Sequence, residues 1–114
     1  MSVEEFIIEY LSERLSVPVY GDVPDLGIVD EFVTVEKIGS NVNNHIYKAT
    51  VAVQSWSTSR ARADALNERV KPVMAAAVEM PEISRCQRTN DYNFPALASK
   101  RPRYQALYEV VYNP

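Results

Sequence analysis

One histidine, His45, and one cysteine, Cys86, limit the chemistry open to this 114-residue chain. A nucleophilic triad needs a base beside its nucleophile. His45 instead stands between Asn44 and Ile46 in a polar, turn-rich stretch that reads as a solvent-exposed loop. Cys86 alternates with Arg85 and Gln87 in a strand-like run and reads as a small buried apolar side chain. With one of each, neither an intrachain disulfide nor a Cys/His zinc site can form, which fits a reducing compartment. Asp22, Asp25, Asp30 and Glu31 gather loosely before a strand, but these are residue types that turns use in any case, and no further ligand accompanies them at fixed spacing. Gly21, Gly27 and Gly39 match neither a dinucleotide-binding nor a P-loop pattern. No catalytic residue, cofactor or metal ligand is therefore assigned, and the chain is read as something other than an enzyme.

The remaining chemistry is charge. Arg60, Arg62, Arg69 and Lys71 fall in one helical pattern, and Lys100, Arg101 and Arg103 precede the last strand with Phe94 and Tyr104 close by. Basic groups beside aromatic rings suit phosphates and stacked bases. The chain is nevertheless acidic, with a pI near 5.1, and has no RNP or helix-turn-helix signature. Ion pairs with protein are the better use. Residues 1–59 carry nine acids against three bases, and residues 60–114 six against nine. An acidic face meeting a basic face on a neighbouring copy would exploit that split, whereas a mixed solvated surface is the plain alternative. The candidate subunit-interface residues are Arg60, Arg62, Arg69, Lys71, Lys100, Arg101, Arg103, Glu31 and Glu36.

The elements that must position these residues read as one α+β domain over 1–114, since two cores would each be too small. At 46% hydrophobic and 24% charged residues the chain can bury a core without staples. Ser2 and Glu5 form a Ser-x-x-Glu box that opens a helix, whose apolar stripe is Val3, Phe6, Ile7, Tyr10, Leu11 and Leu15. Val17–Tyr20 reads as a short strand ended by the turn residues 21–25. Residues 31–38 form a strand that runs into a hairpin loop at 39–45, and an alternating strand follows up to Trp56. Ser57, Thr58 and Ser59 offer N-caps for a helix with the inner stripe Leu66, Val70, Val73, Met74 and Ala77; Arg60, Arg62, Asp64, Asn67, Glu68 and Lys71 lie mostly outside it. Pro72 predicts a kink or break near 68–71, at a cost of about 3 kcal/mol. Two closing strands, 82–92 and 103–112, flank the loop 93–102, and Tyr104, Ala106, Tyr108, Val110 and Tyr112 share the face that meets the helices. The expectation is an antiparallel sheet of four to five strands with two helices on one face. The acidic N-terminus and the lack of a long apolar run lead us to expect neither a signal peptide nor a membrane span.

This order of segments resembles a known family. Asp30-Glu31-Phe32-Val33-Thr34-Val35 runs into a Gly-containing hairpin, Val51–Trp56 leads into Ser59–Leu66, and Pro102-Arg103-Tyr104-Gln105 enters a C-terminal strand. The pattern is similar to the tail-terminator, or tail-completion, proteins of long-tailed bacteriophages. It covers the chain from about residue 30 with a similar opening helix, and it contains no invariant chemical motif. The resemblance implies an α+β subunit of a hexameric ring in the virion, assembled in the host cytoplasm. Such a ring caps the tail tube, stops its polymerisation, joins it to the head connector, and lets DNA pass without specific binding. A joining protein at another level of the neck, or a small nucleic-acid-binding module using residues 60–71 and 100–103, is the alternative. Pro72 departs from the family pattern. The loops 39–45 and 93–102 are the expected contacts with tube or connector.

Overall fold

In the computed structural model, which describes residues 2–24 and 29–113, one five-stranded sheet carries two helices on one face. Helix α1 spans Val3–Arg14, β1 Val19–Tyr20, β2 Phe32–Asn43 and β3 Ile46–Trp56. Helix α2 (Arg60–Ala75) continues into a single 3₁₀ turn, and β4 (Ile83–Asn93) and β5 (Arg103–Tyr112) close the chain. The spatial order is β1-β2-β3-β5-β4. Thus α2 carries the chain from β3 across the sheet to the far edge, and β5 returns between them. The long strands are antiparallel, as the hairpin readings require. The expected antiparallel sheet with two helices on one face is present, and the two-residue β1 adds a parallel pairing at its β2 edge, Val19 beside Val33, which makes the sheet mixed. Only Val19 and Tyr20 of the expected 17–20 strand enter the ladder.

Local chemistry explains the helix ends. Ser2 Oγ accepts the Glu5 amide at 3.1 Å and its hydroxyl reaches the Glu5 carboxylate at 3.3 Å. Of the three hydroxyl residues before α2, Ser59 is the cap, taking the Arg62 amide at 3.2 Å. Of the kink or break expected near 68–71, the break does not occur: helix α2 runs continuously through Pro72. The proline lies in the last turn on an exposed flank, so the carbonyl it deprives of a donor, Glu68, is also on an exposed residue and can be solvated. Tyr10 Oη donates to the Val73 carbonyl at 2.7 Å, joining α1 to the same turn. Burial pushes the Tyr10 hydroxyl above its ordinary pKa.

The core lies between the helices and the sheet. Ile7 and Leu11 of α1 and Leu66, Val70 and Met74 of α2 meet Val33, Val35, Val51, Val53, Ala106, Tyr108 and Val110. Leu66→Ala in such a core costs about 2–5 kcal/mol. Asn67, placed outside the helix stripe by its polarity, is fully buried, because its side chain bonds to Asp91 on β4 rather than to water.

The expected loop 39–45 does not exist as a loop. Strand pairing continues to Asn43↔Ile46, leaving the two-residue turn Asn44-His45 with φ of 51° and 64°. Those paired positive angles define the turn whose twist matches the flanking strands, which asparagine tolerates better than histidine. Turn-forming residues in Gly39–Asn43 therefore sit in a strand, with Ile38 as an extra residue in a bulge between Lys37 and Gly39. The long hairpin gives the molecule extents of 43 × 25 × 22 Å. No helix among the described residues is long and apolar enough to cross a membrane.

Candidate functional site

The structure disperses the groups with catalytic potential. His45 is exposed at the hairpin tip, and Cys86 is half-buried on β4, where burial pushes its thiol up to about 11. Among the described acids of the 22–31 stretch, Asp22 and Asp30 are exposed and Glu31 is turned into ion pairing. Asp25 and Gly27 lie outside the described residues.

The charge candidates divide into two sets. Glu31 takes Arg69 at 2.7 Å and the Ser57 hydroxyl at 2.9 Å, tying α2 to the start of β2. Lys71 pairs with Glu68 at 2.6 Å and with Asp91. The hydrogen bond to Asp91 is the main reason its ammonium titrates above the ordinary lysine value. Burial opposes ionisation of Asp91, but Lys71 and Asn67 together outweigh that and hold its carboxyl below the usual range. Arg101 donates to the Val29 carbonyl at 2.8 Å and to that of Asp30, and lies 5.3 Å from the Phe32 ring centre. Arg103 is sandwiched between Trp56 at 4.8 Å and Phe94 at 4.4 Å. Of these bases only Arg69 pairs with an acid of the other half of the chain, Glu31; both partners of Lys71 lie in its own half. Among the described residues Arg60, Arg62, Lys100 and Glu36 make no ion pair and remain exposed.

The helix-free face carries a network that sequence reasoning missed. Trp56 Nε1 donates to Thr34 at 3.0 Å, Thr34 to Gln54 at 2.8 Å, and Gln54 to Gln105 at 2.6 Å, which in turn reaches the Tyr92 hydroxyl. Thr34, Gln54, Gln105 and Tyr92 are direct partners across β2, β3, β5 and β4, so one polar row crosses four strands. The next row is Phe32, stacked on Trp56 at 5.3 Å, and then Arg103. A signal was present: isolated Thr and Gln at period two within otherwise apolar strands. Only the register brings them together.

Apolar side chains are exposed at both ends of this sheet. At one end the loop after β4 exposes the run Phe94-Pro95-Ala96-Leu97-Ala98, with Phe94 41% and Leu97 92% accessible. The loop is held in shape. Phe94 and Ala96 amides donate to the Arg103 and Arg101 carbonyls at 2.8 and 3.1 Å, and Arg103 Nε donates to the Phe94 carbonyl at 2.7 Å. Lys100 takes a φ of 57°, which a non-glycine residue adopts only when its surroundings fix it. At the other end the β2–β3 hairpin exposes Ile38 at 51%, Val42 at 58% and Ile46 at 48%, with Val42 and Ile46 on opposite faces of the ribbon. Beside the hairpin base, a cavity of about 270 Å³ opens between α1 and the strand ends, lined by Val3, Phe6, Tyr112, Glu9, Glu82 and Asn113, with Ser2 at its edge. Strand β5 runs from the first end to the second, about 30 Å.

No protein-family model matches the chain, and no curated protein matches it in sequence. The geometry itself must carry the functional argument.

Proposed function

We propose that this chain is a structural subunit that assembles with copies of itself into a ring at the end of a bacteriophage tail tube, capping the tube and joining it to the head connector. The observation that carries the reading is an exposed apolar loop, Phe94–Ala98, at one end of a 43 Å molecule and a cavity lined in part by Val3, Phe6 and Tyr112 at the other. Runs of consecutive exposed apolar residues are costly in water unless a partner covers them. A cyclic assembly requires two different, complementary surfaces on each copy, and their relative orientation sets the rotation that closes the ring. The resemblance in segment order to tail terminators points the same way and supplies the expectation of six copies, the tube as template, the virion as location and DNA as unread passenger. Arg69, Lys71, Arg101 and Arg103, four of the seven basic residues in 60–71 and 100–103, are engaged within the chain, which weakens these two stretches as a phosphate-binding patch.

The test is electron microscopy of tail tubes polymerised with and without the protein. The reading expects tubes of arrested length with a ring at one end. Tubes that grow unchecked and bare, with the protein in the supernatant, contradict it.

A further inference from the structure

We infer that the Phe94–Ala98 loop of one copy seats in the cavity between α1 and the ends of β4 and β5 on the next copy, with Lys100 meeting Glu9 and Glu82. The inference deepens the ring reading and rests on it, because it names the joint by which copies meet.

Three observations converge. The loop is built to present its apolar tip: its base is closed by the 94/103 and 96/101 backbone bonds, its arginines are locked on Phe32, Trp56 and Phe94, and Leu97 is left almost wholly in water. A tip fixed before binding loses little entropy when it docks. The cavity offers the matching shape and polarity. Its apolar lining is Val3, Phe6 and Tyr112, and its volume of about 270 Å³ can admit a leucine side chain. The charges are complementary. Glu9 and Glu82 are exposed residues of the lining, Lys100 stands exposed three residues from Leu97, and none of the three forms an ion pair among the described residues.

The two surfaces cannot meet within one chain, since β5 separates them. Their contact is therefore head-to-tail, the heterologous geometry that generates a ring when its rotation closes. Leu97 meets the apolar lining, and the Lys100 ammonium settles between two carboxylates, which sets direction and excludes the reversed arrangement.

The experiment uses the full chain in four forms: wild type, Leu97→Asp, Lys100→Glu, and Lys100→Glu combined with Glu82→Lys. Self-association is followed by analytical ultracentrifugation, with tail-tube protein present as template. We expect Leu97→Asp to abolish association, Lys100→Glu to weaken it about tenfold, and the charge-swapped pair to recover most of that loss. All these positions are exposed, so unchanged thermal unfolding verifies that each variant folds. A second arm mixes Leu97→Cys with Glu9→Cys; an interchain disulfide should form in the mixture and in neither variant alone. Association retained by Leu97→Asp, or a disulfide in Leu97→Cys alone, overturns the joint while leaving the ring reading standing. Wild type that stays monomeric with tubes present overturns both. Binding of wild type, but not Leu97→Asp, to anionic vesicles without self-association assigns the loop to a membrane surface and overturns the joint.

Discussion

The Glu4 side chain on α1 accepts a 2.8 Å hydrogen bond from the backbone N–H of Lys37 on β2. Strand β1 covers the β2 edge only at Val33 and Thr34, and beyond them no strand among the described residues pairs on that side. An open edge invites pairing with other chains. Glu4 supplies an acceptor where β1 gives out, one residue before the Ile38 bulge turns the edge aside. The contact fixes α1 against the sheet and so shapes the cavity that α1 walls. Glu4→Ala should cost about 1 kcal/mol of stability and speed hydrogen exchange at the Lys37 amide while distant core amides keep their protection. Unchanged exchange at Lys37 contradicts this role.

The Asn67–Asp91–Lys71 cluster should make stability depend on pH at both extremes. The Asp91 pKa is depressed in the folded state, so its contribution is present above the unfolded value of about 3.9 and is lost as pH falls through the folded value. The Lys71 pKa is raised, so its contribution is full below about 10.4 and is lost as pH rises through the folded value. Asp91→Asn should lower stability by about 1–3 kcal/mol at neutral pH and flatten the acid limb of the profile. Urea denaturation across pH 2–11 tests it; an acid limb as steep as wild type speaks against the assignment.

The hairpin turn places His45 in left-handed backbone, at φ 64°. Glycine adopts that conformation without the side-chain clash, so His45→Gly should stabilise the chain by about 0.5–1 kcal/mol. A lower melting temperature would show that His45 makes a contact worth more than its strain.

Arg103 between Trp56 and Phe94 should not be replaceable by lysine. Burial lowers its pKa but leaves it charged, and the planar guanidinium can stack on both rings. Arg103→Lys should lose about 1 kcal/mol and shift the fluorescence of Trp56, the sole tryptophan. An unaltered spectrum contradicts the sandwich.

Much of the fold was legible in the sequence. The Ser2–Glu5 box, the α1 stripe and the period-two row 104–112 are local patterns, and they predict their elements nearly to the residue. The misreadings came from local chemistry overridden at a distance. Gly39–Asn43 looks like a loop, but it pairs because β3 offers a full-length partner. Asn67 looks like a surface residue, but it is buried because Asp91 arrives from a strand 24 positions later. The candidate site was legible as composition only. The basic residues were visible, yet which of them are free depends on Glu31, Asp91 and two aromatic rings brought in by tertiary structure. The exposed run 94–98 reads as an ordinary connection until its accessibility is known.

The central claim is that copies of this chain close into a ring through unlike ends. Light scattering coupled to size separation, performed on the protein with and without tail-tube protein, tests it most directly. The account predicts a single closed species of six copies, at least when tubes supply a template, with no larger or open-ended series. A monomer under both conditions, or a ladder of ever longer oligomers, would contradict it.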